Sequence, residues 1–454
     1  MQPTQGTHPV VVDQEAVDAV VSGNAQLRDT ENPYTNKDRT GAVVALSAAG
    51  AVDNSEGGMM RMFGAPIMAA FGLQTGALGF LLSIGMFSRM IFGPLWAIAA
   101  DKWGRKRVLI IVTGAWGLWT VAAGFAPNFT WLLILYGIAT IGTVASEPIM
   151  NGLMGDIFPK KDRGKAYGTI RAASAGVGLL ITPMLALFGN DPNAWRYGLW
   201  TMGGLSIMSG ILIFFLVPEP KVQLGSLQEE SGVFKLADAA KLFKIPTLAL
   251  MAPMLILITS MVMMAYMGVI WVKVNGFTNQ QQILLQTTFM VGMVLSSVLG
   301  GLIADLFVKK FGPKGRIMLM QIYLVTFAAI TYVAFQIPFG TSPVYWGVVF
   351  LLGLVFSIGF SGCVLPMVST VAPTQLGATA FAMLFSLIQG LLTALMTLFV
   401  GKLAETFGLQ NSMLYFVTVP YLLNAAYWFL FYKTYPKDAA LQEQRTAEVA
   451  AGTF

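Results

Sequence analysis

Long apolar runs separated by short polar breaks make up most of this chain. They fall at about 41–64, 75–99, 108–126, 130–156, 166–187 and 195–217, then at 247–271, 282–304, 317–336, 343–369, 377–400 and 409–432. A helix needs roughly 20 apolar residues to cross the hydrocarbon of a bilayer, and each run is about that long. The pattern predicts an all-α membrane protein with twelve transmembrane helices in two six-helix bundles. By this reading 1–40 is an N-terminal tail, 41–217 the first bundle, 218–246 a linker, 247–433 the second bundle and 434–454 a C-terminal tail.

Charge fixes the predicted orientation. Of the 28 Lys and Arg, all but six fall on one side of the membrane if both termini lie there. The exceptions are Arg196, Lys273 and Lys402 on the other side and Arg61, Arg89 and Arg171 within runs. The side rich in cations is the cytoplasmic one, so both termini are expected in the cytoplasm and the protein in the plasma or inner membrane. Met1 to Arg39 lacks a basic start followed by an apolar core and reads as a solvated tail, not a signal peptide. In the linker, Val233, Phe234, Leu236, Ala237, Ala240, Leu242 and Phe243 fit one face of a short helix; a simple tether is the plainer reading.

Composition removes other functions. The chain is 56% hydrophobic and 11% charged, and its net charge of +6 comes from loops between apolar runs, not from a nucleic-acid footprint. One cysteine, Cys363, excludes a disulfide framework, and the single histidine, His8, lies in the polar tail. Neither a Cys/His metal cluster nor a phosphate-binding Gly-rich loop is expected, nor any cofactor. An intramembrane enzyme is disfavoured because the runs contain no nucleophile–base pair. The expected partners are a small-molecule substrate, protons and the lipid bilayer, with the protein a monomer.

The halves repeat. Ala97-Ile-Ala-Ala-Asp101 corresponds to Gly301-Leu-Ile-Ala-Asp305, and Phe158-Pro159 through Gly164 to Ala372-Pro373 through Gly377. Parallel repeats of this kind place a substrate site at their interface near the midplane. The turn after the second run reads Gly93-Pro-Leu-Trp-Ala-Ile-Ala-Ala-Asp101-Lys-Trp-Gly104-Arg105-Lys-Arg107. It resembles the signature loop between helices 2 and 3 of the major facilitator superfamily, with Ala97 and Ala99 replacing that motif's first glycine and its leucine. The resemblance implies the major facilitator fold and an inner gate in which Asp101 faces the start of helix 11 near Gly377 and Arg105 reaches Asp156. Gly104 supplies the turn.

Ionisable groups inside a bilayer are costly and tend to serve transport. The first half holds Asp53, Glu56, Arg61, Arg89, Glu147 and Arg171 within its runs, with Asn54 beside the first acid. The second half has none in its interior; Gln286, Gln321, Gln389 and Asn424 are its strongest polar groups there. Proton coupling and the polar part of the cavity are therefore expected in the first half. Asp53 and Glu56 are three residues apart on one helix and are read as sharing a face. Arg89 lies at mid-membrane depth as the expected partner of either. Glu147 and Arg171 fall at matching depth and are expected to pair. Arg61 is read as snorkelling from the outer end. The six methionines between Met251 and Met267 are read as a lipid-facing stripe, and most tryptophans (Trp116, Trp119, Trp131, Trp195, Trp271 and Trp346) as interfacial anchors.

Two departures from proton-coupled members stand out. The helix-4 arginine of that pattern is Tyr136, with Thr140 for its first glycine, and the helix-5 antiporter signature survives only as Thr182-Pro183. A narrower resemblance, over about 50–190, is to Spinster-type lipid transporters, carried by Gly93-Pro-Leu-Trp, Phe125-Ala-Pro-Asn-Phe-Thr-Trp and Asp156-Ile-Phe-Pro-Lys-Lys-Asp-Arg163. The expectation is a proton-coupled secondary transporter of an apolar or amphiphilic organic compound, with export favoured. Alternatives are a lipid or lysolipid transporter, uptake of an organic acid or sugar, and a non-transporting sensor or scaffold.

Overall fold

The computed structural model describes residues 34–158, 160–219, 242–373 and 376–450. The tail before Tyr34, with His8, and most of the linker, with its candidate amphipathic face, lie outside the described residues. So do the side chains of Arg89 and Asp101. The described chain forms twelve helical passes. In the first half these are α1 (Asn36–Met62, continuing as Gly64–Phe71), α2 (Thr75–Trp103), α3 (Arg105–Gly124), α4 (Phe129–Thr143, then Ser146–Ile157), α5 (Lys160–Leu185) and α6 (Ala194–Leu216). The second half has α7 (Pro246–Ile256, then Ser260–Lys273), α8 (Asn279–Phe311), α9 (Lys314–Gln336), α10 (Pro343–Val371), α11 (Thr379–Phe407) and α12 (Leu409–Arg445).

Ten of these stretches are long and apolar enough to cross a membrane unaided. The other two are α1, which carries Asp53, Glu56 and Arg61, and α4, which is broken at its middle. The breaks have local causes. In α4 the Ala145 N–H turns back to the Gly142 carbonyl at 2.9 Å and leaves the Ile141 carbonyl without its helical donor. The indole of Trp96 donates to that oxygen at 2.7 Å, and the indole of Trp116 to the Ile138 carbonyl at 2.7 Å. In α7 the break falls after Ile256, where the Leu257 and Ile258 N–H groups turn back to the Met254 and Leu255 carbonyls at 3.0 and 3.2 Å before the helix resumes at Ser260.

Four of the six helix-7 methionines, Met251, Met254, Met263 and Met267, are fully buried. The lipid-facing reading therefore fails: α7 sits inside its half, in contact with α8, α10, α11 and α12. Trp195 and Trp271 are likewise core residues, and Trp116 is taken up at the α4 break, whereas Trp119 and Trp131 are exposed as interfacial residues should be.

Call the face bearing the chain ends inner and the opposite face outer. The halves meet through α2 with α11 and α5 with α8, and through the outer part of α1 with α7. At the first of these seams the Tyr266 hydroxyl donates to the Thr397 carbonyl at 2.5 Å and lies in a notch between Gly79 and Gly401, where any Cβ would strike it. Ser83 Oγ donates to the Ala394 carbonyl at 3.0 Å, and Thr182 Oγ1 approaches Met290 Sδ at 3.8 Å. Among the described residues, every hydrogen bond between the halves lies in the outer part of the molecule. The halves part toward the inner face.

Candidate functional site: the inner-facing cavity

A pair of charged side chains marks the candidate site. Glu147 is in the first turn of the second segment of α4, a position created by the break, where the positive end of a helix favours an acid. Arg171 faces it from α5 with Nη2 3.7 Å from Glu147 Oε1, and the two side chains are 70% (Arg171) and 61% (Glu147) exposed. Each lies about ten residues from the inner end of its helix, roughly 15 Å deep. Charged groups at that depth are costly against hydrocarbon, which marks the pair as a candidate lining of a passage between the halves. The expected pairing is present.

The acids of α1 separate. Asn54 and Gly57 are exposed on the side of α1 away from the core, and Asp53 is part-exposed with its carboxylate oxygens shut off from solvent. Glu56 is 4% exposed and points into the bundle, where the Thr120 hydroxyl of α3 donates to its Oε1. Its Oε2 is buried with no hydrogen-bond partner among the described residues. Three residues turn a helix by about 300°, so the two side chains diverge by about 60° on α1. Arg61 is in the last turn of the first segment of α1, with Nη2 3.4 Å from the Gly57 carbonyl; after Phe63 the helix resumes and runs to Phe71.

In the second half, Gln286 and Gln389 are part-exposed on α8 and α11, the helices that border the gap. Gln321 and Asn424 lie elsewhere. Gln321 donates to the Ala425 carbonyl at 3.1 Å and accepts from the Tyr432 hydroxyl at 3.0 Å, so it ties α9 to α12. Asn424 is fully buried on α12, which packs against α9. The sequence marks both as polar and apolar-flanked, but it does not show which helices pair at the rear of the bundle.

At the inner end, Arg105 Nη1 sits 3.1 Å from both carboxylate oxygens of Asp156 and 3.2 Å from the Gly152 carbonyl. All of this is buried, and a Cβ at position 152 would come within 2.9 Å of the guanidinium carbon. Gly104 ends α2 at φ 95°, a conformation that side-chain-bearing residues rarely adopt, and so turns the chain directly into α3. Lys106 and Arg107 approach Glu219 beyond α6 at 3.9 and 3.8 Å. The expected Arg105–Asp156 contact is thus in place within the first half.

Relatives can now be set beside this geometry. A bacterial homolog of the human lysosomal transporter Spinster, solved in an inward-facing and unoccupied conformation, superposes with a TM-score of 0.74 at 18% identity, covering 89% of this chain and 99% of that one. The "Probable 4-methylmuconolactone transporter" of Cupriavidus pinatubonensis is 22% identical over 377 residues, 80% of this chain and 84% of the relative. Protein spinster homolog 1 of Rattus norvegicus is 24% identical over 167 residues, 36% of this chain and 31% of its own length. The family model of the Major Facilitator Superfamily matches residues 46–397. With the twelve passes and the two-bundle gap, that match makes the chain a member of the Major Facilitator Superfamily of membrane transporters.

Proposed function

We propose that the protein is a secondary active transporter that moves an amphiphilic organic compound by alternating access and is coupled to protons. Residues 41–217 and 247–433 act as the two rocking bodies and 218–246 as their tether, in a monomer of the plasma or inner membrane with both termini cytoplasmic. The observation that carries this reading is the Glu147–Arg171 pair, solvent-reached at mid-depth and borne by one half only. On α10 and α11, Phe360 and Phe385 meet edge-on at 5.1 Å, and Phe381 lies tilted against Phe385 at 5.6 Å. An ionic pair in one half and an aromatic cluster in the other suit a substrate with a polar group and an apolar body.

Glu56 is proposed as the proton carrier. It is buried, and its one hydrogen bond reaches across to Thr120 of α3. Arg105, Asp156, Gly104 and Asp101 are proposed to brace the inner gate. A second reading, uptake of an organic anion, is favoured by the exposure of Arg171 and by the relative named for 4-methylmuconolactone. A flux assay in reconstituted vesicles tests both. A panel of amphiphiles and organic acids is presented on each side, with and without a pH gradient. Flux of no compound by wild type, under any gradient, overturns the transporter reading in favour of a sensor or scaffold.

A further inference from the structure

The outer wall of the first half carries a track unrelated to the cavity. α5 and α6 both pack on α1 but diverge from each other, leaving a groove floored by α1. Its middle is a hollow of about 250 Å³ lined only by Ala48 and Val52 of α1, four apolar side chains of α5 and four residues of α6 that include Ser209. Nearer the inner face, a second hollow of about 510 Å³ continues between the same α1 and α6, with Val44, Gly41, Phe215 and Leu216 below and Thr40, Asp38, Lys37 and Asn36 at its mouth.

The two hollows share one line on each helix. On α1, positions 37, 41, 44, 48 and 52 recur at the three-to-four spacing of a single face, and on α6 positions 205, 208, 212 and 216 do the same. From Lys37 to Val52 the track rises about 22 Å. Polar and charged groups stand at the level where the apolar run begins, and the deeper lining is apolar apart from Ser209, whose hydroxyl donates to the Ser206 carbonyl at 2.8 Å. Leu180, Met208 and Phe215 are well exposed on its walls, where bilayer lipid and not water is the surrounding medium.

We propose that this track binds a glycerophospholipid of the leaflet on the terminus side, one acyl chain lying along α1 between α5 and α6 and the phosphate against Lys37. Asn36 and Thr40 border the headgroup position. Asp38 lines the same mouth, but its Oδ2 is held by the backbone N–H and hydroxyl of Thr35 at 2.9 and 2.8 Å. Asp38 keeps its charge but directs Oδ2 into the capping box, while Lys37 is exposed and supplies the cation of the mouth.

Native mass spectrometry of the full chain in detergent tests the site, titrated with dioleoyl phosphatidylglycerol or with dioleoylglycerol, which lacks the phosphate. Wild type is expected to prefer the phospholipid roughly tenfold at its first site. Lys37→Ala, an exposed position outside the core, should bring the phospholipid down to the level of dioleoylglycerol. Val44→Trp, which plugs the joint between the hollows at a half-exposed position, should weaken the first binding of both. The site is refuted by equal first-site binding in wild type and Lys37→Ala, by undiminished binding in Val44→Trp, or by displacement with inorganic phosphate alone.

Discussion

Glu405, near the end of α11, accepts a hydrogen bond from the backbone N–H of Gly76 in the first turn of α2, at 2.8 Å. The residue that would ordinarily cap α2, Gln74, makes no side-chain cap bond, so the cap comes from the other half of the protein. Across the pseudo-symmetry the same device recurs: Asn190, just past α5, accepts from the Gln280 N–H at the start of α8, at 3.2 Å. Both bonds join the halves on the outer side, and both must break for that side to open.

Removing the charged cap should therefore shift the conformational balance. A hydrogen bond to a charged group is worth about 1.5–3 kcal/mol, so Glu405→Ala is expected to raise the outward-open fraction roughly tenfold or more. Asn190→Ala should act in the same direction with a smaller effect. Spin labels at positions 74 and 407, read by pulsed electron resonance, give the measurement; unchanged distance distributions would refute the clasp.

The Arg105–Asp156 pair is buried on both sides, at 4% and 0% side-chain exposure. Breaking such a pair by removing one partner typically costs about 3–5 kcal/mol, because the other charge is left uncompensated. Asp156→Ala should lower the melting temperature strongly, with Asp156→Asn intermediate. Gly152→Ala should destabilise as well, since the added methyl displaces the guanidinium. Thermal melts in detergent decide this.

Glu56→Gln preserves the shape of the side chain and an acceptor for Thr120 while removing the titratable proton. If Glu56 carries the coupling, this variant keeps substrate exchange between equal concentrations but loses accumulation driven by a pH gradient. Thr120→Val, by contrast, should retain the dependence on the gradient at reduced rate. Gradient-driven accumulation at the wild-type level in Glu56→Gln removes that residue from the coupling.

Arg171 is the exposed cation of the cavity. Arg171→Ala should raise the half-saturating concentration of an anionic substrate by about tenfold or more, with Arg171→Lys recovering part of it through charge alone. Glu147→Gln should lower it for the same substrate by removing the competing acid. A neutral amphiphile should respond weakly to all three, so dose–response curves for both substrate types separate the two readings of the cavity.

Trp96 and Trp116 hold the carbonyls at the α4 break. Trp96→Phe keeps most of the ring packing and removes one donor from a buried carbonyl, an expected loss of about 1–3 kcal/mol. Because that break sets Glu147 at a helix start, the same variant should also alter substrate affinity. A melt combined with the flux assay tests the two effects together.

Helix number, boundaries within a few residues, the two-half division and the inner basic turn follow from hydrophobic run length and charge placement, because the bilayer permits few alternatives to a full-length helix. Rotation about each helix axis does not follow so readily. Uniformly apolar helices give little facing signal, which is why the burial of the α7 methionines and the α9–α12 bonding of Gln321 cannot be read from the runs. The α4 break is invisible for another reason: the donor that satisfies its freed Ile141 carbonyl is the indole of Trp96 on a neighbouring helix. The Glu147–Arg171 contact was legible because depth alone, counted along two adjacent helices, brings the residues level.

The notch that receives Tyr266 gives the outer closure a mechanical side beyond its two polar clasps. Its depth is set by the missing side chains at positions 79 and 401, so the fit there is governed by volume and is insensitive to salt or pH. A single methyl at position 79 would work as a doorstop, holding the outer ends apart without touching either clasp.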